Sequence, residues 1–235
     1  MPPYLDIRNR LIRRYSFHNL LIWLLFYLVA GPFLQNLPHA SFILSVSISL
    51  VLFVAVYAIN SKTRLFKYVM GLLILTLALF WMDVFHIVSF SRLASRLIMA
   101  AYLSTLIYSF TKYVFSARKV DSRLISAALC LYLILGTLWG VIYNILELAS
   151  PGSFKGDLLS GHSALVDPLE HFQYFSFVTL TTLGYGDILP QTQGAAALCQ
   201  TEAIIGQFYM AVLVARLVGI QVSQEFSRDQ GEKGK

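Results

Sequence analysis

The residues best suited to chemistry lie close together, in a TTLGYGD segment at residues 181–187. Its glycines, Gly184 and Gly186, alternate with Leu183 and Tyr185. Successive carbonyl groups can face the same way only if some residues take positive φ, which glycine adopts without a Cβ clash. Such a row of oxygens can replace the water around a dehydrating cation. The segment therefore predicts a cation site built from the backbone.

The run before this segment has the length of a helix but is too short to cross a bilayer. Asp167 can cap its first turn, Pro168 suits the first helical position, and Glu170 complements the helix dipole. Non-helical backbone follows at once, and at membrane depth this is tolerated only where it is buried or lines water. We therefore predict a re-entrant helix over residues 168–181.

Together, this helix and the TTLGYGD segment resemble the pore of tetrameric potassium channels. The resemblance implies a selectivity filter that holds K+ with four backbone carbonyls, those of Thr182, Leu183, Gly184 and Tyr185. Gly186 completes this filter, the Thr182 hydroxyl adds the innermost ligand ring, and Asp187 draws cations to the outer mouth. Because one chain supplies one filter strand, four chains must surround the ion, and a homotetramer is expected. No cofactor is expected besides the permeant K+.

The same resemblance assigns four residues that support the filter: Thr181, Tyr174, Phe175 and Val178. Tyr185 is expected to turn back and pack on Tyr174 and Phe175. Many relatives have tryptophan at the position of Tyr174, whose hydroxyl can still reach Asp187, and some have a carboxylate at the position of Val178. Because of these departures, slow inactivation of the filter can differ from that of relatives.

The composition favours a membrane protein. Hydrophobic residues make up 57% of the chain and charged residues 13%, which is too little polar surface for a soluble fold. Membrane lipids are therefore expected partners. The net charge of +6 comes from short clusters between apolar runs, so a nucleic-acid partner is not expected. Cys130 and Cys199 lie inside apolar runs and are expected to be buried thiols.

Six apolar segments are long enough to span a bilayer. They are residues 19–35, 41–59, 65–88, 93–115, 124–148 and 195–222. Basic clusters precede the first span and follow the second and fourth, which predicts cytoplasmic termini in a multi-pass protein of the cell membrane. The predicted fold is all-α, with six transmembrane helices, the re-entrant pore helix and the filter.

This order of spans divides the chain into four parts. They are a cytoplasmic N-terminus (1–18), a four-helix domain at the position of a voltage sensor (19–118), a pore domain (119–223) and a short cytoplasmic tail (224–235). Steep voltage gating needs about three to four mobile charges per subunit. The fourth span offers only Arg92 and Arg96, with Asp83 and His86 as counter-charges. We expect weak or absent voltage gating, and the favoured role of Asp83 is a local salt bridge or hydrogen bond that fixes the spans together.

The last span carries the candidate gate. Gly206 matches the glycine at which relatives bend the inner helix and is interpreted as a hinge, with close helix packing as the alternative. Helical spacing places five residues on one stripe, namely Gln207, Met210, Val214, Val218 and Val222. If Gln207 faces the cavity, the valines form a constriction near the cytoplasm, whereas the alternative turns the stripe to lipid or to span five. Glu202 should face protein or water, because a charge in lipid is costly.

Three other classes of protein fit the sequence less well. A potassium-uptake transporter subunit also uses pore loops of a helix and a filter, but usually has four in one chain, and this chain has one. A non-conducting regulatory subunit is disfavoured by the intact GYGD sequence. An enzyme is not expected, because the chain has no HExxH, GxSxG or phosphate-binding glycine motif and no Cys or His cluster with metal spacing.

Overall fold

The computed structural model describes residues 17–29, 33, 40–57, 64–84, 91–160 and 168–233. In this part of the chain the secondary structure is helical apart from one short two-stranded sheet. Along the chain the elements are α1 (Phe17–Val29), α2 (Ala40–Tyr57), α3 (Arg64–Val84), α4 (Ser91–Ser116), α5 (Ser122–Ala149), β1 (Phe154–Gly156), α6 (Asp157–Ser160), α7 (Pro168–Leu180), β2 (Ile188–Pro190) and α8 (Gln193–Lys233).

Among the described residues, three helices have the length and composition to cross a membrane, over Arg92–Ser116, Ser122–Ala149 and Gln193–Glu225. The apolar stretches described within the first three helices are shorter, at Phe17–Val29, Val46–Val56 and Phe66–Met82. An all-α membrane fold is therefore supported, and the count of six spans stays a prediction. Helix α8 also continues to Lys233, through most of the segment predicted as a tail.

The chain forms two compact units, and the first consists of Met1–Val114 with Arg123–Ile134. The Phe17 ring of α1 packs edge-on against Phe110 of α4, with ring centroids 5.3 Å apart. The Tyr102 hydroxyl donates to the Leu52 carbonyl of α2 at 2.5 Å. Cys130 is buried, and its thiol donates to the Phe17 carbonyl at 3.5 Å. These contacts join α1, α2, α4 and the first half of α5 around one core.

The predicted sensor residues fall in this first unit. Arg92 is exposed at the start of α4, whereas Arg96, one turn later, is only 2% exposed. Asp83 lies in the last turn of α3, but its side chain is outside the described residues, and so is His86. A pairing of these charges therefore stays a prediction.

The second unit consists of Phe115–Ser122 and Leu135–Lys235. Its core is a cluster of buried side chains from α5, α7, α8 and both strands: Trp139, Tyr143, Phe154, Phe172, Phe175, Ile188 and Ala195. Strands β1 and β2 pair antiparallel, with Gly156 opposite Ile188. The predicted re-entrant helix is α7, which ends one residue earlier than expected, and its predicted cap Asp167 lies outside the described residues.

Candidate functional site

The end of α7 turns directly into the TTLGYGD segment through a set of backbone hydrogen bonds. The N–H of Thr182 donates to the Thr179 carbonyl at 2.9 Å, and the N–H of Leu183 donates to the Val178 carbonyl at 2.9 Å. Gly184 donates to the same Val178 carbonyl at 3.3 Å. This is the bonding of a Schellman motif, in which the residue after the helix is left-handed and is usually glycine. Here the left-handed residue is Thr182, with φ 58°.

Left-handed backbone then recurs at every second residue of the segment. Thr182 has φ 58°, Gly184 has φ 61° and Gly186 has φ 79°, and the residues between them keep negative φ. The positive φ expected at the two glycines is present. The sequence did not predict the positive φ of Thr182, where a side chain makes this conformation cost about 1–2 kcal/mol. Strain of this kind tends to occur at functional sites, which draws attention to the same segment.

The side chains of the segment are largely uncovered by their own chain. Leu183 is 55% exposed and Tyr185 is 67% exposed. The Phe175 ring lies 5.2 Å from the Tyr143 ring in the aromatic cluster, and the expected packing of Tyr185 on Tyr174 and Phe175 stays a prediction. The exposed part of the Tyr185 ring is a surface that another copy of the chain can cover.

The outer end of the segment is held by Asp187. Tyr174 donates its hydroxyl hydrogen to Asp187 Oδ2 at 2.6 Å, so the hydroxyl does reach the carboxylate. Partial desolvation, followed by this hydrogen bond, raises the pKa of Tyr174 to about 12, which keeps its hydroxyl a donor at physiological pH. The N–H of Ile188 donates to Asp187 Oδ1 at 3.1 Å. The acid is thus fixed from both sides.

The sheet also supports the outer end, through two residues that sequence reasoning missed. A Cβ added at Gly156 would lie 2.2 Å from the Asp187 carbonyl oxygen, so only glycine lets β1 come this close. The Glu147 carboxylate, at the end of α5, accepts hydrogen bonds from the N–H groups of Gly152 at 2.7 Å and Phe154 at 3.1 Å. These contacts hold the turn before β1.

Two glycines of α5, also missed, let α7 pack against it. A Cβ at Gly140 would lie 2.8 Å from the Gln173 Cα, and one at Gly136 would lie 2.5 Å from the Phe177 ring. The signal was present in the sequence, because Gly136 and Gly140 form a G-x-x-x-G pattern inside an apolar span. Small residues at this spacing allow close approach of helix backbones.

The inner end of the segment meets α8. The Gln207 amide donates to the Thr182 hydroxyl oxygen at 3.3 Å. A Cβ at the neighbouring Gly206 would lie 2.3 Å from the Leu180 carbonyl oxygen, at the end of α7. Helix α8 runs through Gly206 without a break. The structure therefore gives Gly206 a packing role, and its role as a hinge stays a prediction.

The stripe that continues from Gln207 is uncovered within the chain. Each of its apolar members is more than two-fifths exposed: Met210, Val214, Val218 and Val222. The stripe therefore does not face span five of its own chain, which removes one of the alternatives. The exposure fits a stripe that faces a water-filled cavity, lipid or further copies of the chain.

Near the end of α4, Arg216 of α8 makes a contact that the sequence did not reveal. Its guanidinium donates to the carbonyls of Phe115 at 2.6 Å and Ala117 at 3.1 Å and lies 5.4 Å from the centre of the Phe115 ring. Carbonyls at a helix C-terminus lack intrahelical partners and carry partial negative charge. Arg216 satisfies them and ties the α4–α5 connection to α8.

Comparison with known proteins agrees with this site. Residues 127–222, which include α7, the TTLGYGD segment and most of α8, match a family described as ion channel. Over 114 residues the chain is 30% identical to two-pore potassium channel 1 of Arabidopsis thaliana. That match covers 48% of this chain and 27% of the relative, so the chain spans about a quarter of the relative's length. No solved structure matches the chain. These similarities, together with the membrane-length helices, support an ion channel.

Proposed function

We propose that this chain is one subunit of a homotetrameric, potassium-selective channel of the cell membrane, with both termini in the cytoplasm. The observation that carries the proposal is the alternation of left-handed residues at Thr182, Gly184 and Gly186 directly after a helix too short to span. Carbonyl groups in such a strand can form successive oxygen rings around a bare K+. Transport is passive and follows the electrochemical gradient.

Exposure of the candidate pore surfaces supports the fourfold assembly. One strand cannot encircle an ion, and a closed ring needs identical copies around an axis. Leu183, Tyr185 and the stripe on α8 are uncovered in one chain, as surfaces that face an axis or a neighbouring copy would be. The Arabidopsis thaliana relative is named as a potassium channel, which is consistent with K+ as the permeant ion of this chain.

Each part of the site then has a role in conduction. Asp187 concentrates cations at the outer mouth, where its fixed orientation keeps its charge in place. The carbonyls of Thr182, Leu183, Gly184 and Tyr185 replace the hydration shell, with the Thr182 hydroxyl as the innermost ligand. Gln207 beside that hydroxyl marks the entrance from the inner cavity. The valines of the α8 stripe form the constriction that closes the path.

Ion flux into proteoliposomes tests the proposal. The purified protein is expected to carry K+ far faster than Na+ under equal gradients, because backbone carbonyls can replace the hydration shell of K+, the larger and more easily dehydrated ion. Protein-free vesicles give the background, and a K+ ionophore gives the maximum signal. Equal K+ and Na+ fluxes would contradict selectivity, and a folded protein without flux would revive the regulatory-subunit alternative.

Voltage dependence is expected to be weak. One elementary charge that crosses the full field contributes about 2.3 kcal/mol per 100 mV, and steep gating needs several such charges in each subunit. Replacing the exposed Arg92 with Gln is therefore expected to leave the conductance–voltage relation nearly unchanged in bilayer recordings. Arg92 is the cleaner test, because Arg96 is buried and its replacement also affects folding. A large shift with Arg92→Gln would show that α4 senses voltage.

A further inference from the structure

Glu202 is a carboxylic acid buried where three helices meet. Its side chain in α8 is 0% exposed within a single chain, so further subunits cannot uncover it. The Tyr143 hydroxyl of α5 hydrogen-bonds to Glu202 Oε2, and the Ser176 hydroxyl of α7 lies 2.5 Å from Oε1. The Cys199 thiol, one turn earlier in α8, contacts the same Tyr143 hydroxyl. Glu202 thus links α5, α7 and α8.

The groups around the Glu202 carboxyl do not supply a positive charge to balance a carboxylate. Among the described residues, its hydrogen-bond partners are the hydroxyls of Tyr143 and Ser176. The titratable groups that face it are Tyr143 and Cys199, and neither becomes a cation. A carboxylate buried at membrane depth without a cationic partner is costly. The surroundings therefore favour the neutral acid.

The hydrogens available in the network point the same way. Ser176 Oγ lies 2.7 Å from the Gly136 carbonyl oxygen and 2.5 Å from Glu202 Oε1. A serine hydroxyl has one hydrogen, and a carbonyl and an ionised carboxylate can only accept. With ionised Glu202, one of these two contacts would have no hydrogen. If Glu202 holds a proton on Oε1, it donates to Ser176 Oγ, and Ser176 donates to the Gly136 carbonyl. Each of the two contacts then has its own hydrogen.

We propose that Glu202 is a positioning residue that keeps its proton at neutral pH. Through its hydrogen bonds to Ser176 and Tyr143, it fixes α7 behind the filter. The effect on conduction rests on the proposed function. Ser176 lies two residues before Val178, whose carbonyl accepts from Leu183 and Gly184 at the start of the filter. When Glu202 loses its proton at alkaline pH, the hydrogen-bond network loses one hydrogen and gains a buried negative charge. Both changes weaken the hold on α7. K+ flux therefore falls as pH rises.

Replacement by glutamine separates this role from a general need for structure. In Glu202→Gln the amide NH2 can donate to Ser176 and the amide oxygen can accept from Tyr143, so the neutral network is kept without a titratable proton. This variant is expected to conduct like wild type at neutral pH and to lack the alkaline loss of flux. Glu202→Ala leaves both hydroxyls without their partner and is expected to lose flux at every pH.

Glu147 offers the matched control. Both of its carboxylate oxygens accept hydrogen bonds from backbone N–H groups. In Glu147→Gln the new NH2 group faces one of these N–H donors, so that hydrogen bond is lost. This variant is expected to lower flux by a similar factor at every pH and to keep the wild-type alkaline loss. The proposal for Glu202 is overturned if Glu202→Gln shows the same alkaline loss as wild type.

Infrared spectroscopy reads the proton without any need for conduction. Wild type in lipid at neutral pH is expected to show the carbonyl band of a protonated carboxylic acid, which shifts in deuterated water, fades at alkaline pH and is missing in Glu202→Gln. Absence of that band in folded wild type would overturn this inference, whatever the flux. Failure of K+ flux with the band present would instead overturn the proposed function.

Discussion

Replacement of Gly184 with Ala is expected to abolish selective K+ flux. Gly184 has φ 61°, and within its own chain an added Cβ would meet nothing within 4 Å, so the expected damage comes from the backbone conformation. Alanine in left-handed backbone costs about 1–2 kcal/mol, and a tetramer carries the substitution in all four strands. The strand relaxes to another conformation and the carbonyl rings are lost. K+ and Na+ fluxes in proteoliposomes measure the effect.

Gly152 provides a control with the same chemistry at another place. It has φ 86° and open space around its Cβ position, in the turn between α5 and β1. Gly152→Ala is expected to lower the unfolding temperature by a similar amount per site while it leaves the ratio of K+ to Na+ flux unchanged. If Gly184→Ala kept the wild-type ratio, the carbonyls of this segment would not be the source of selectivity.

Replacement of Gly206 with Ala is the second large expected effect. The new methyl group would lie 2.3 Å from the Leu180 carbonyl oxygen, which belongs to the backbone at the end of α7 and cannot rotate away. Overpacking of this kind costs typically 1–3 kcal/mol in each subunit, in order of magnitude. The strain can be relieved only by moving α7 or α8, and either shift displaces the filter. Both unfolding temperature and K+ flux are expected to fall.

Gly219 lies in the same helix with nothing within 4 Å of its Cβ position, so it serves as the matched control. Gly219→Ala is expected to keep or raise the unfolding temperature, because alanine is favoured over glycine in helices by about 1 kcal/mol. The comparison also separates packing from bending at Gly206. If Gly206 acts only as a hinge, Gly206→Ala would change the open probability but not the unfolding temperature.

Local signals in the sequence predicted the centre of the site well. The two glycines of the segment take the positive φ expected of them, and α7 begins at Pro168 as predicted. The bond between Tyr174 and Asp187 was expected from the resemblance to potassium channels, many of which have an aromatic residue that holds the outer acid at this position. These features depend on backbone preferences and on residues close in sequence, which is why the pattern alone could indicate them.

The parts that sequence reasoning missed depend on partners far along the chain. Gly156 leaves room for the Asp187 carbonyl, 31 positions later. Arg216 donates to carbonyls about a hundred positions earlier. Thr182 takes a conformation against its own preference, because the hydrogen bonds that end α7 impose it. Tertiary packing decides each of these cases.

The most direct test of the central claim is the structure of the purified, assembled protein in a lipid nanodisc, determined by cryo-electron microscopy in KCl. The account predicts four copies around one axis, with ion density between successive rings of carbonyl oxygens from residues 182–185. An assembly without fourfold symmetry at this segment, or four copies whose carbonyls turn away from the axis in K+, would contradict it.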